Sequence, residues 1–138
     1  KKKELLVKSQ TSALILVDCD CLKDINDTYG HLAGIQSLTY MAENLKQYLA
    51  HTDIIGRIGE DEFCVYMKNI SSAASVRNIC QTLVNENRKT NKTINLSVSV
   101  GTALTLDNEP HEDVFKKADA ALYQAKRKGK SSVVLYDK

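Results

Sequence analysis

A chain of 138 residues, 43% hydrophobic and 26% charged, has the size and composition of one ordinary globular domain with a real core. A formal net charge of +2 and a pI of about 8.3 lie too near neutrality to point to a nucleic-acid or membrane-surface partner. No apolar stretch approaches the roughly 18 to 20 residues that cross a bilayer and no secretory signal opens the chain, so a soluble cytoplasmic domain without direct membrane insertion is expected.

In chain order, Lys1-Lys2-Lys3 opens the sequence with no methionine before it, which reads as a piece of a longer protein and leaves room for a membrane tether in the parent. ALILVD (13–18) is a short apolar run ending in acid, the pattern of a buried strand whose C-terminal end reaches a site. Cys19 and Cys21 flank Asp20 and are expected to share one face of that strand. A short helix is expected over residues 22–29, broken at Gly30. From Leu32 onward, Ile35, Leu38, Met41/Ala42, Leu45 and Tyr48/Leu49 recur at helical spacing and predict one apolar stripe.

DIIGRI (53–58) and EFCVYM (62–67) read as strands joined by a short Gly-containing turn, a hairpin. Ser71-Ser72 are natural caps for a helix with Val76, Ile79/Cys80 and Leu83/Val84 on one face. INLSVSV (94–100) alternates, which predicts a strand with Ile94, Leu96, Val98 and Val100 on one side. Pro110 suits the first turn of a helix whose stripe is Val114/Phe115, Ala118, Ala121/Leu122 and Ala125. Gly129 ends that helix, and SVVLY (132–136) is the last strand. Cys19, Cys21, Cys64 and Cys80 form no C-x-x-C pair and no zinc-spaced cluster, so reduced thiols are expected.

The order β-α-α-β-β-α-β-α-β predicts a single α/β (α+β) domain over residues 1–138, with a mixed central sheet and flanking helices. If the second hairpin strand lies antiparallel beside the first strand, Asp18 and Asp20 approach Asp61 and Glu62. Carboxylates gathered near one point repel unless a cation neutralises them, and hard oxygen ligands suit Mg²⁺ or Mn²⁺. An ion held there could bind the phosphates of a nucleotide. A solvated hairpin tip and an acidic strand end that never meet explain the same residues.

Two further stretches carry alternatives of the same kind. Lys126-Arg127-Lys128-Gly129-Lys130 is either a set of cations complementing a helix C-terminus or a triphosphate clamp. LKDINDTYGH (22–31) puts Lys23, Asn26, Asp27 and His31 near the strand end. Asn26 offers the donors and acceptors that a purine edge requires, or simply helps to end the short helix.

Taken together and in this order, DCDCLKDINDTYGH, DIIGRIGEDEF, SVSVGTA and ADAALYQAKRKGK resemble the GGDEF family of bacterial diguanylate cyclases, from Ala13 to Val134. The resemblance implies a palm-like, ferredoxin-like sheet related to those of nucleotide cyclases and polymerases. It implies a homodimer in which two domains face each other with one GTP each. The 3′-hydroxyl of each nucleotide attacks the α-phosphate of the other, releasing two pyrophosphates and cyclic di-GMP. Carried over by motif, Asp18, the backbone carbonyl of Cys19, and Asp61 and Glu62 would supply metal ligation and catalytic support. Lys23, Lys126 and Lys130 would contact phosphates, and Asn26 would read guanine.

The sequence departs from that pattern at three places. The family's paired glycines are Gly59-Glu60 here. A two-residue type II′ turn needs glycine only at its first position, so the fold should survive, whereas Glu60 brings bulk and negative charge beside a polyphosphate. Ile35 stands where the family's GH-x-x-GD pattern carries an aspartate that accepts hydrogen bonds from guanine. The unpaired guanine donors would cost about 1–3 kcal/mol, a weakening of about tenfold or more. Ala50-His51-Thr52-Asp53 replaces the R-x-x-D of the product-inhibition site and lacks its guanidinium. The reading is a GGDEF-type domain that is catalytically degenerate and acts as a regulatory or nucleotide-sensing module, fused to sensory or effector domains. An active or weakly active cyclase with altered base preference, and a scaffold that binds no nucleotide, are the alternatives.

Overall fold

The most apolar run of the sequence becomes the middle of a sheet. In the computed structural model, which describes residues 10–49, 53–89, 96–106 and 109–136, the elements are β1 (Gln10–Cys19), α1 (Leu22–Tyr29), α2 (His31–Tyr48), β2 (Ile54–Arg57), β3 (Glu62–Lys68), α3 (Ala73–Asn87), β4 (Val98–Leu106), α4 (His111–Arg127) and β5 (Val133–Leu135). That is the element order expected from the sequence. The sheet runs β2-β3-β1-β4-β5. Its first four strands pair antiparallel, and β5 joins β4 in parallel.

β1 is covered on both faces, which explains why ALILV carries no polar alternation. Ala13, Ile15, Val17 and Cys19 point to the side where Leu38, Met41 and Leu45 of α2 and Val76, Cys80, Leu83 and Val84 of α3 pack. Leu14 and Leu16 point to the other side and meet Val114, Ala118 and Leu122 of α4. Gly101 makes that second contact possible: a Cβ there would lie 2.1 Å from the Leu122 backbone nitrogen. The α3 terminus is closed by a reciprocal pair, Ser75 N–H donating to Ser72 Oγ at 3.0 Å and Ser72 N–H to Ser75 Oγ at 3.3 Å.

Several expectations change. β4 begins at Val98 and runs on to Leu106, because the long β1 pairs beside it from Cys19↔Val98 to Gln10↔Leu106. Leu96 and Ser97 precede it, and Ile94 lies outside the described residues. Cys21 does not share a strand face with Cys19; β1 has ended, and Cys21 caps α1. Leu38, Met41, Leu45 and Leu49 form the buried stripe of the second helix region, but Leu32 and Ile35 are 68% and 60% exposed. The first turn of α2 reaches past the sheet, and it is Gly34, not Ile35, that faces α1.

The hairpin turn also differs. Ile58 N–H donates to Glu62 O at 3.0 Å, enclosing Gly59, Glu60 and Asp61. Among the described residues the glycines with positive φ are Gly30 and Gly129. Gly59 therefore lacks the left-handed backbone that a type II′ turn demands. Arg57 holds the turn instead, donating from Nε to Gly59 O at 3.1 Å and from Nη2 to Glu60 O, with its guanidinium over the Phe63 ring.

Candidate functional site

Strand register assembles the acidic end of the site. Asp18 lies directly opposite Glu62 in the β1–β3 ladder, and Cys19 N–H donates to Asp61 O at 2.9 Å. Alternation sends both side chains toward α4, as it does Leu16 and Cys64 one step earlier. There Lys126, in the last turn of α4, places Nζ 2.5 Å from Asp18 Oδ2.

One ammonium does not neutralise this group. Asp18 Oδ1 and Glu62 Oε2 are both buried and have no hydrogen-bond partner. Burial pushes the Asp18 carboxyl above the ordinary aspartate range; Lys126 pulls it back, and the charges of Asp61 and Asp20 add to the rise. Burial likewise raises Glu62, with Asp18, Asp119 and Asp61 contributing and Lys126 opposing. Burial works against the Lys126 charge, but Asp18 beside it holds the ammonium above the usual lysine value. The pair therefore settles unevenly: the ammonium gains, while the carboxylate keeps one buried oxygen unserved.

A divalent cation fits that deficit in one specific way. Among the described residues no three His, Cys, Asp or Glu side chains gather closely enough to form a cage by themselves. Mg²⁺ is ordinarily held by one or two carboxylates together with substrate phosphates, and two orphaned carboxylate oxygens at a sheet end match that donor set. The Cys19 thiol takes no part: it is in the core, with burial pushing it up to about 12.

Asp20 adds its charge to the acidic end but makes its hydrogen bonds elsewhere. Its carboxylate accepts from Ser97 Oγ at 2.5 Å, Ser99 Oγ at 2.6 Å and Ser131 N–H at 3.0 Å. It thereby ties the end of β1 to the start of β4 and to the segment after α4. That segment carries consecutive left-handed residues, Gly129 (φ 111), Lys130 (φ 67) and Ser131 (φ 50). Arg88 adds a second tether, from Nε to Ser131 Oγ at 2.9 Å. Lys130 and Lys23 are exposed, and among the described residues neither is ion-paired to the acidic end.

A second half of the site lies between α1, α2 and the hairpin. A cavity of about 120 Å³ is lined by Leu22 and Asn26 of α1, by His31, Gly34, Ile35 and Leu38 of α2, and by Arg57 and Glu60 of the hairpin. Ile35, Leu38 and Arg57 also line an adjoining groove of about 240 Å³ that runs on to Phe63. Asn26 Oδ1 is buried without a partner. A Cβ on Gly34 would sit 1.9 Å from that oxygen, so the glycine makes the space in which the Asn26 amide lies. Gly59 is exposed, and a Cβ there would meet nothing nearer than Glu62 Cβ at 3.8 Å. Glu60 thus belongs to the cavity of Asn26 and Ile35.

Gly34, Arg57, Ser97 and Ser99 escaped the sequence reading. Only Gly34 left a signal, as a glycine inside an otherwise regular helical pattern. Asp53, the remaining residue of the altered inhibition motif, accepts from Lys68 N–H at 3.2 Å. Ala50, His51 and Thr52 lie outside the described residues.

The sheet order, the acid-tipped β1–β3 pair and the helices on both faces define a palm-like mixed α/β domain. Residues 2–132 match the family model "Diguanylate cyclase, GGDEF domain", and the chain belongs to the GGDEF family. It is 32% identical over 133 residues to diguanylate cyclase A of Treponema denticola, covering 93% of this chain and 36% of that protein. It is 35% identical over 133 residues to an uncharacterized membrane protein of Staphylococcus aureus, covering 91% of this chain and 37% of the other. The chain thus spans little more than a third of these relatives. Among solved structures it resembles the GGDEF domain of DgcB from Caulobacter crescentus in complex with c-di-GMP, with a TM-score of 0.84, 26% identity, and coverage of 99% of this chain and 86% of that one.

Proposed function

We propose that this chain is a nucleotide-sensing GGDEF module of cyclic di-GMP signalling, which binds GTP with Mg²⁺ or Mn²⁺ and turns it over slowly or not at all. The observation that carries the reading is the pair of orphaned buried oxygens, Asp18 Oδ1 and Glu62 Oε2, beside the Lys126 ammonium. Asp18 and Glu62, with Asp61 and the Cys19 carbonyl next to them, would hold the ion, and the ion would supply neutralising charge for the triphosphate. Lys126 is placed to leave Asp18 for a phosphate oxygen once a cation takes over that carboxylate. Lys23 and Lys130 would contact the outer phosphates from the rim, and Asn26 would meet the base.

The degenerate part of the reading rests on the base side. Ile35 presents an exposed apolar side chain to the Asn26 cavity, and Glu60 adds a carboxylate to it. A site reshaped there can keep its ligand and lose the alignment that chemistry needs, since small misplacements of reacting atoms cost orders of magnitude in rate. We place the domain in the cytoplasm, within a longer protein that carries sensory or effector domains and a possible membrane tether, as the membrane-protein relative in Staphylococcus aureus suggests.

Calorimetry with GTP and Mg²⁺ tests the reading directly. The full chain is expected to bind, with Asp18→Ala weakening the affinity by about tenfold or more and removing its metal dependence. Absence of metal-dependent heat in the parent sinks the sensor reading and leaves a scaffold. A second reading, an active cyclase working as a homodimer, is favoured by the retention of Asp18, Asp61, Glu62 and Lys126 around one point. Incubating the protein with GTP, ATP or both, and resolving products by mass, separates the two: cyclic dinucleotide at an ordinary enzyme rate would establish the cyclase.

A further inference from the structure

β2 is the outermost strand on the hairpin side of the sheet, and among the described residues nothing pairs with its outer edge. We propose that this edge pairs with the same edge of a second copy of the chain, antiparallel about Gly56, so that one sheet runs through two domains. The inference is independent of the nucleotide reading above.

The ladder with β3 shows which backbone groups point outward. Ile58 N–H donates to Glu62 O, and the register runs Ile54↔Tyr66, Ile55↔Val65, Gly56↔Cys64 and Arg57↔Phe63. Bonded positions alternate in an antiparallel pair, so Ile54, Gly56 and Ile58 turn their N–H and C=O toward β3. Ile55 and Arg57 turn theirs to the open side, where among the described residues no hydrogen bond engages them. Such a row is a template for another strand, and proteins ordinarily blunt it with proline, a bulge or inward charge. The one proline of the chain, Pro110, stands at the start of α4, and the β2–β3 register carries no shift.

The sequence of the edge selects a second copy as its partner. Ile54-Ile55-Gly56-Arg57-Ile58 complements itself when read antiparallel about Gly56, as a two-fold contact requires. Ile55 of each copy then exchanges both backbone bonds with Arg57 of the other, about four bonds in all. Ile54 of each copy falls opposite Ile58 of the other, at positions where side chains approach closely. These two are the exposed large apolar residues of the edge, 57% and 46% accessible. On the other face, Asp53 and Arg57 of opposite copies become diagonal neighbours of opposite charge. Gly56 sits on the two-fold axis. A Cβ there would meet nothing within 4 Å, and its φ is not positive, so the single domain has no need of glycine at this point. A glycine inside a strand often marks the close approach of another backbone.

β2 is four residues long, so the contact is small and the dimer weak. The two hairpin turns point in opposite directions, which sets the acidic ends apart rather than face to face. Sedimentation of the full chain from about 10 µM to about 1 mM tests the proposal, with hydrogen exchange followed over the same range. A monomer–dimer equilibrium is expected, with exchange at the Ile55 and Arg57 amides slowing as dimer forms and that of Gly56, already bonded to β3, unchanged. Ile54→Lys and Ile58→Glu should each weaken the dimer about tenfold or more. The double variant Ile54→Lys/Ile58→Glu should regain it, because both cross-strand pairs then join opposite charges. Both positions are exposed, and thermal melting checks that the variants keep the fold. A chain that stays monomeric throughout overturns the proposal. So does a dimer that the single variants leave unchanged or that the double variant fails to restore, since either result places the contact elsewhere or in another register.

Discussion

The acidic end and the base-side cavity are built by different means. Asp18 and Glu62 face each other because two strands share a register, and strand register is enforced by every core side chain along β1, since a slip of one residue would turn Ile15 and Val17 out of their cluster. Asn26 and Ile35 sit on two short helical turns whose distance is set by one glycine and whose far wall is a turn held by one arginine. The first arrangement is over-determined; the second depends on a few contacts. Sequence change is accordingly cheap on the base side and expensive at the strand ends. Two of the three departures from the family pattern, Ile35 and Glu60, are on the cheap side.

The sharpest way to break the comparison is to attack the strand side through its packing. A Cβ on Gly101 would lie 2.1 Å from Leu122 N and 2.6 Å from Ala118 O, both backbone atoms of α4. Gly101→Ala must push the helix off β4 and carry Lys126 away from Asp18. A loss on the order of 3 kcal/mol or more is expected, read as a fall in the urea midpoint. A midpoint within error of the parent would show that α4 can slide without cost, and the strand end would not be over-determined.

Next in size is Asp20→Ala. It leaves Ser97, Ser99 and the Ser131 N–H without their shared acceptor and releases the left-handed segment that presents Lys130. The expected cost is roughly 2–4 kcal/mol, because hydrogen bonds to a charged group are lost together and the donors stay partly buried. Hydrogen exchange at the Ser131 amide should accelerate beyond the global change. Exchange that rises only in step with global unfolding would mean that Arg88 holds the segment alone.

Gly34→Ala separates the two halves cleanly. Alanine favours a helix over glycine by about 1 kcal/mol, and the atom its Cβ would strike is the movable end of Asn26, at 1.9 Å. Stability is expected to stay near that of the parent while GTP affinity falls about tenfold, because Asn26 is driven from its place. Loss of stability without loss of binding would make Gly34 a packing residue and nothing more.

These cases also mark what a sequence can disclose. The acidic pair was legible because period-two alternation and antiparallel pairing leave few ways to place Asp18 and Glu62. Asp20 was legible only in part: its charge reaches Asp18, yet the chain turns after Cys19 and its carboxylate accepts its hydrogen bonds from the β4 side. Ile35 misled because helical spacing says which residues share a face but not where the helix runs beyond the sheet that it covers. Arg57 acts through backbone carbonyls of a turn and has no sequence pattern of its own, and Gly34 shows in the sequence as a glycine inside a helical pattern without disclosing the close approach that it makes. β4 continues through Gly101 to Leu106, and alternation alone does not show that α4 needs the side chain missing there.

The smallest effect bears on why the acidic end persists at all. Glu62 has a folded-state pKa raised above its ordinary value of 4.5, chiefly by burial and then by Asp18 and other acids. A raised carboxyl contributes stability that is present below the ordinary glutamate range and is lost as pH climbs through the raised value. Asp18 has the same sense. In metal-free protein, Glu62→Gln should therefore melt a few degrees higher than the parent at neutral pH, and the gap should close as pH falls below about 4.5. With GTP and Mg²⁺ present the order should reverse, because the parent alone can convert its crowded charge into ion binding. If the two proteins melt together across the range, the carboxylates are already neutralised by Lys126, and the strand end has no deficit for a cation to fill. If Glu62→Gln is stabilised and the ligand reverses it, the destabilising charge at this end is accounted for by what it binds.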